Sequence, residues 1–473
     1  MSRSEKYKRL GSNTAILGAG TFASKVLVFL LMPFYTSVLS TGEFGTADLI
    51  AQTANLLIPL AAVGICDGIF RFTLDTCEDD ASRKRVFSTG MVILFVGSLL
   101  LLGAIQALRL SSALSEYVLL IALYVIAANF HSAFANYLRA EGRTVLFAVQ
   151  GILNTALTIV LNVLFLVTFE MGAVGYVLSV VVADLTMALL LFFVARLWRD
   201  FSVRSISKTT AKELLKFSIP YVPTTMLWLI TSVSDRYIVT YFCGESANGL
   251  YAAAYKLPTL LSLVSGVFVE AWHFSTVRDA TDDEKGDFFG TVYFHFMSVM
   301  FMGGAFLVAG AKIFTKLLLA DSYYSSWEFV PVLVMATVFS TLVSFLGSVY
   351  FLKKKSTSSM LTAMVGALVN IILNFVMIPT HGAMGAAVAT LISYLAVFAV
   401  RSYDTSLELN FPRHYGRLIF NSVLLLAQIV VMLLEVKYWI LIEVALLLIS
   451  VIFNGKALFL TLTRIFGKNF RKN

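Results

Sequence analysis

The chain has 473 residues, of which 58% are hydrophobic and 14% charged, with a mean hydropathy of +0.83 and a formal charge of +8. Soluble domains carry about a quarter charged residues, so this balance excludes a water-facing globule and marks an integral membrane protein. A spanning helix takes about 20 apolar residues, so about fourteen spans would use the chain and leave no soluble domain for chemistry.

The first ten residues are polar and basic, with Lys6, Lys8 and Arg9. The apolar stretch behind them is longer than a signal-peptide core, so it reads as a retained first helix. Fourteen apolar segments follow in order: 14–39, 48–70, 86–108, 115–137, 144–168, 172–195, 217–242, 249–273, 288–310, 327–351, 356–379, 382–400, 418–434 and 437–458. With the amino terminus inside, 29 of the 36 Lys and Arg fall in inner tails and loops. Arg109, Lys312, Lys316 and Lys437 lie outside, and Lys25, Arg236 and Lys256 lie within spans. This asymmetry places both termini in the cytoplasm and explains the positive charge by topology, with no nucleic-acid partner. Cys66, Cys77 and Cys243 have no paired spacing and imply neither a disulfide framework nor a metal site.

An internal repeat divides the chain. The stretch from Leu39 to Gly45, entering the second span, parallels Phe242 to Gly249, entering the eighth. Leu161-Asn162 followed by Gly172-Ala173-Val174-Gly175 parallels Leu373-Asn374 followed by Gly382-Ala383-Met384-Gly385. The matches occupy equivalent places six spans apart, an even number, so the copies share orientation. Parallel repeats of this kind are a recurring transporter design with the substrate site at the repeat interface. The expected fold is therefore all-α and polytopic, with two six-helix lobes around a central cavity. Residues 1–200 form the first lobe, 201–216 a basic cytoplasmic linker, 217–401 the second lobe, and 402–473 two added helices with a basic tail. Pro33, Pro59 and Pro258 sit within spans of both lobes and are hinge or kink candidates, since proline removes a helix hydrogen bond.

An ionisable group at mid-bilayer is costly unless it faces a cavity or a partner. Lys25 lies eleven residues into the first span, roughly 16 Å deep, and Arg236 and Lys256 roughly 10 Å from the outer ends of theirs. Asp184 and Asp235 are the deep acids, candidates for lining the cavity or coupling an ion. Asp48, Asp67, Arg71 and Glu270 lie near span ends, where interfacial water solvates them. The surplus of cations suits an anionic substrate: lysine meets a phosphate as a point charge, and arginine grips it with two parallel hydrogen bonds. There is no phosphate-binding glycine loop, no His-Glu-x-x-His and no Cys-x-x-Cys. No catalytic residues, metal or cofactor are expected, and the protein reads as a non-enzyme.

The run from Gly20 to Leu27, the Leu39 to Gly45 stretch, Ser234-Asp235-Arg236-Tyr237-Ile238, and Gly249 through Tyr251, Tyr255 and Lys256 to Pro258 together resemble the polysaccharide-exporter, Wzx-type flippases. These belong to the multidrug/oligosaccharidyl-lipid/polysaccharide superfamily and are related to MurJ-type lipid II flippases. The resemblance implies two six-helix lobes around a cavity that passes the polar head of an undecaprenyl-diphosphate-linked oligosaccharide. It also implies that Lys25 and Lys256, at positions similar to those of basic residues in lipid II flippases, line the cavity. Lipid II flippases carry an Arg-Asp pair farther along the first helix, where this chain has Leu31-Met32, and the departure turns the expectation toward polysaccharide precursors. The expected function is thus outward flipping of a lipid-linked saccharide in the cell membrane by alternating access. Diphosphate ligands would be Lys25, Arg236 and Lys256, and the pathway's polymerase or glycosyltransferases would be partners. The competing readings are a drug or cation antiporter of the same superfamily, a lipid II flippase, and a non-transporting envelope scaffold.

Overall fold

A computed structural model describes residues 27, 29–76, 79–106, 114–276, 282–353 and 355–470. Among the described residues all regular structure is helical, with no strand. A bilayer requires this, because each backbone N–H and C=O must find its partner within the segment. The helices are α1 (Met32–Val38), α2 (Thr41–Ala62), α3 (Ile65–Asp75), α4 (Asp80–Ala104), α5 (Val118–Ala140), α6 (Thr144–Val163), α7 (Gly172–Val194) and α8 (Lys208–Ser218). They continue with α9 (Tyr221–Cys243), α10 (Glu245–Thr276), α11 (Asp282–Ala309), α12 (Ala311–Leu318), α13 (Val330–Lys353), α14 (Ser356–Glu408), α15 (Tyr415–Leu434) and α16 (Trp439–Phe470).

Nine described helices are long and apolar enough to cross a membrane, ten when α2 and α3, bent by 50°, count as one broken span. Helix α14 supplies two of the expected spans. Its 53 residues would measure roughly 80 Å, far more than a hydrocarbon core of about 30 Å. Gly382 divides it, with φ 58° and ψ −145°, a conformation open essentially to glycine. Every expected segment from 48–70 onward coincides with a described helix. The faces turned to lipid are apolar: on α6, Val145, Val149, Ile152, Leu153, Val160 and Val163 are all exposed, three to four residues apart along most of the helix.

Contacts divide the chain into two compact units, Met1–Tyr237 and Ile238–Asn473. The division falls inside α9 and not in the basic connection at 201–216. That connection is fastened to the first unit. Ser88 Oγ donates to the Asp200 carbonyl and accepts from the Ser202 amide, and Thr89 Oγ1 accepts from the Ser207 amide. Ser207 then caps α8, whose Leu214 is fully buried. The second unit includes α15 and α16 as integral parts. Gln428 on α15 donates to the Ala305 carbonyl of α11 and to Glu443 of α16, and Asn421 and Asn454 exchange amide hydrogen bonds.

The internal repeat has a common physical basis in each unit. Gly172 and Gly382 open their helices at φ +53° and +58°. Three residues on, a Cβ on Gly175 would lie 3.2 Å from the Phe165 carbonyl oxygen, and one on Gly385 2.5 Å from that of Met377. Small residues at these places let each helix start tight against the end of the preceding one. The paired asparagines, Asn162 and Asn374, are both buried.

Candidate functional site

Helix α10 begins at Glu245, so Lys256 lies eleven residues in, roughly 16 Å along the helix. It is half-buried, in a helix whose neighbouring turn, Tyr251 to Ala254, is fully packed. Lys25 lies outside the described residues. Arg236 is buried, and its Nε stands 2.9 Å from Asp48 Oδ2. Asp48, expected at a solvated span end, is instead buried on α2 and neutralises the arginine. One residue farther, Tyr237 OH meets Thr53 Oγ1 at 2.5 Å, so two successive residues of α9 lock onto α2. Asp235 is fully buried. As a matched pair, Arg236 and Asp48 carry no net charge, so Arg236 adds nothing to the cation surplus read from the sequence.

Asp184 is also partnered, by a histidine. Its Oδ1 lies 2.9 Å from His131 Nδ1 and accepts from Asn154 Nδ2 at 2.9 Å. The other ring nitrogen of His131 lies 2.6 Å from Gln150 Oε1. Three helices meet here: His131 from α5, Gln150 and Asn154 one turn apart on α6, and Asp184 from the middle of α7. Asp184 and His131 side chains are 11% and 13% exposed, so the pair is shielded without being sealed. Gln150 and Asn154 had a legible signal, two amides four residues apart in an otherwise apolar helix and hence on one face.

In the second unit Glu443 and Arg413 are buried, and so is Arg401, counted from the sequence with an inner loop and 2% exposed. Its guanidinium donates to the Val343 carbonyl (2.9 Å), Thr362 Oγ1 (2.9 Å) and the Ser359 carbonyl (3.3 Å), tying α13 to both arms of α14. A cavity of about 440 Å³ lies between α10 and α13, lined by Ser262, Ser265, Gly266, Ser340, Thr341 and Ser344. Thr341 and Ser344 donate their hydroxyl protons to carbonyls of their own helix, which leaves their oxygens free to accept. In the first unit a cavity of about 420 Å³ is lined by Ser37, Glu43, Glu170 and Gly172 among others, an acidic setting unsuited to an anion.

The proline candidates differ in effect. Pro33 stands at the first turn of α1, where proline is tolerated. Pro59 lies inside α2, but the bend comes four residues later, where Val63 and Gly64 both adopt positive φ and the Gly64 amide reaches back to the Pro59 carbonyl. Pro258 lies inside α10, which continues past it. Outside the membrane, Glu141 follows α5 and sits between Arg83 (3.1 Å) and Arg143 (3.2 Å). Burial nevertheless pushes its carboxyl above the ordinary range, against the pull of both arginines. No group of His, Cys, Asp and Glu suited to hold a metal occurs among the described residues.

A family model described as polysaccharide biosynthesis protein matches residues 10–273. A comparison with curated protein sequences finds no match. Among solved structures, an inward-closed lipid II flippase MurJ is similar at a TM-score of 0.72 and 13% identity, over 95% of this chain and 99% of that one. An inward-facing multidrug resistance MATE family transporter of the MOP superfamily gives 0.64 and 16% identity, over 85% and 95%. A MOP superfamily transporter from Pyrococcus furiosus, described as having a binding pocket of reverse polarity, gives 0.57 and 15%, over 83% and 95%. At such identities the likeness is one of fold, and it extends through both units.

Proposed function

Because the chain belongs to the polysaccharide biosynthesis protein family and is a multi-pass membrane protein, we propose that it flips a polyprenyl-diphosphate-linked saccharide from the cytoplasmic to the outer leaflet by alternating access. Both termini are cytoplasmic in this reading, the host membrane is the cell membrane, and the protein is a transporter and not an enzyme. The observation that carries it is Lys256, a half-buried cation about 16 Å along a membrane helix, a placement that suits the reception of an anionic head group.

Lys256, with Lys25, binds the diphosphate. Burying a phosphate without such partners would be prohibitive, and an ammonium meets it as a point charge without demanding one geometry. Arg236, held by Asp48, positions α9 against α2 and contributes no net charge. The serine-lined cavity begins six residues beyond Lys256 on the same helix, roughly 9 Å along it. Its hydroxyls suit the hydroxyls of a sugar, and its volume suits one or two sugar rings. A drug antiporter would be expected to use acids within the spans as its main site, and two of these, Asp48 and Asp184, face Arg236 and His131.

The test is to replace Lys25 and Lys256 by alanine, singly and together, in cells that depend on the chain for an extracellular polysaccharide. Lipid-linked precursor should accumulate in the inner leaflet while the protein inserts at normal levels, and arginine at either position should restore part of the export. Undiminished export by the double variant would refute the reading.

A further inference from the structure

The reading above leaves translocation without a stated driving force, and the His131 network stands in the first unit with no part in holding the substrate. Its composition is unusual for packing. At the equivalent place in the second repeat, twelve residues after the opening glycine, Asp184 is matched by Tyr394. Counted back from the paired asparagines, Gln150 is matched by Thr362 and Asn154 by Gly366. The second repeat therefore packs this helix pair with no carboxylate, glutamine or asparagine at these three places, joining it instead through Asn370 and Thr390, and the His–Asp arrangement occupies the first repeat.

The geometry fixes how many protons the site holds. The two atoms that face the His131 ring, Asp184 Oδ1 and Gln150 Oε1, are both acceptors. Asn154 already donates to Asp184, so the carboxylate is acceptor to two donors. With the Gln150 amide oxygen turned to the ring in this way, both ring nitrogens carry hydrogen, which makes His131 an imidazolium and the pair neutral overall. Loss of that one proton leaves a net negative charge near the middle of a span and sets the ring nitrogen that keeps no hydrogen against an acceptor. The empty form is stable only when the helices admit water or the Gln150 amide turns to donate.

The other titratable groups of the neighbouring elements do not compensate it. At this depth α5 and α7 offer Tyr124 and Tyr176, and α2 offers Asp48, already matched by Arg236. Helix α3 offers Cys66 and Asp67. Helix α6 has no titratable residue, and those of α4 and of the Leu197–Arg199 turn lie toward the inner end.

We propose that the His131–Asp184 pair, capped by Gln150 and Asn154, is a proton-binding site that couples inward proton movement to outward movement of the lipid-linked saccharide. The proton passes from outer water onto the imidazole, and is released to the cytoplasm when the unit opens inward. No bond other than the N–H is made or broken. The coupling rests on the flippase reading, whereas the proton site does not.

Two measurements separate them. The first is the ¹⁵N spectrum of histidine-labelled full-length protein in lipid nanodiscs at pH 7, with the His131 signal assigned by its loss in His131→Gln. Two protonated ring nitrogens are expected in the wild type and one in Asp184→Asn. A singly protonated His131 in the wild type, or an imidazolium that survives Asp184→Asn, overturns the site. The second follows a fluorescent undecaprenyl-diphosphate disaccharide in proteoliposomes with the membrane potential clamped at zero. An acid-outside gradient should accelerate its outward movement several-fold, and a rate indifferent to the gradient overturns the coupling. A chain that moves none of the probe under any condition overturns the flippase reading, and the ¹⁵N result still decides the proton site.

Discussion

The two repeats solve one packing problem with different chemistry. In the first unit, α6 and α7 are joined to α5 through His131, Gln150, Asn154 and Asp184, with a titratable pair at mid-span. In the second, the arms of α14 are joined to α13 through Arg401, a permanent cation that donates to hydroxyl and carbonyl oxygens and has the Asp404 carboxylate near it. Asn370, Asn374 and Thr390 complete that side with neutral hydrogen bonds. The same helix order, opened by the same glycine, accepts either arrangement. What differs is that one can change its charge and the other cannot, so the first unit holds the switchable element and the second a fixed frame carrying Lys256 and the hydroxyl-lined cavity.

The largest effect should come from breaking the titratable pair on one side only. Asp184→Leu removes the acceptor of both His131 and Asn154 and should cost about 3 kcal/mol, seen as a large fall in thermal midpoint in lipid nanodiscs. Adding His131→Leu should recover part of the loss, because removing both partners is less harmful than stranding one. A double variant as unstable as the sum of the singles would show that the pair is not the unit described.

Next comes the helix junction that the repeats share. Gly385→Ala should cost about 2 kcal/mol and Gly175→Ala less, since the added methyl would meet backbone oxygen at 2.5 Å in the first case and 3.2 Å in the second. The ordering of the two thermal midpoints checks this. Arg401→Lys should follow at about 1 kcal/mol, because an ammonium cannot reach the Val343 carbonyl, Thr362 and Ser359 as a planar fork does. That loss should be the same at pH 6 and pH 8, in keeping with a fixed charge.

The smallest effect concerns the inner end of the first unit, outside the membrane. The folded-state pKa of Glu141 is raised by burial above the ordinary 4.5, so the folded state holds that proton more firmly than the unfolded chain does. The resulting stabilisation is full below about pH 4.5 and is lost as pH rises through the folded value. Glu141→Gln should therefore flatten the fall in thermal midpoint across that window by a few tenths of a kcal/mol, the interaction being partly exposed to solvent.

Much of the architecture was legible because a membrane leaves the sequence few options. Length and hydropathy located the spans, and the glycine and asparagine pairs exposed the repeat, since close helix junctions tolerate little else. The Gly382 break was implied by a polar, glycine-containing gap between two apolar runs. Helix starts were less legible: α10 begins four residues before the apolar run. What the sequence withheld was direction around each helix. Arg236 finds Asp48, 188 positions away, and Asp184 finds His131, because tertiary packing and not spacing turns these faces toward each other. The same limit put Arg401 in a loop and the unit boundary in the basic connection, whose attachment depends on the hydroxyls of Ser88 and Thr89 on α4.

The central claim is that a membrane-embedded lysine of the second unit receives the diphosphate of a lipid-linked saccharide. Its most direct test is the rate at which purified protein in liposomes moves a fluorescent undecaprenyl-diphosphate disaccharide, compared among wild type, Lys256→Ala and Lys256→Arg. Loss of at least tenfold in the alanine variant, about 1.4 kcal/mol of lost interaction, with substantial retention in the arginine variant, is the predicted result. Equal rates for wild type and Lys256→Ala would contradict it.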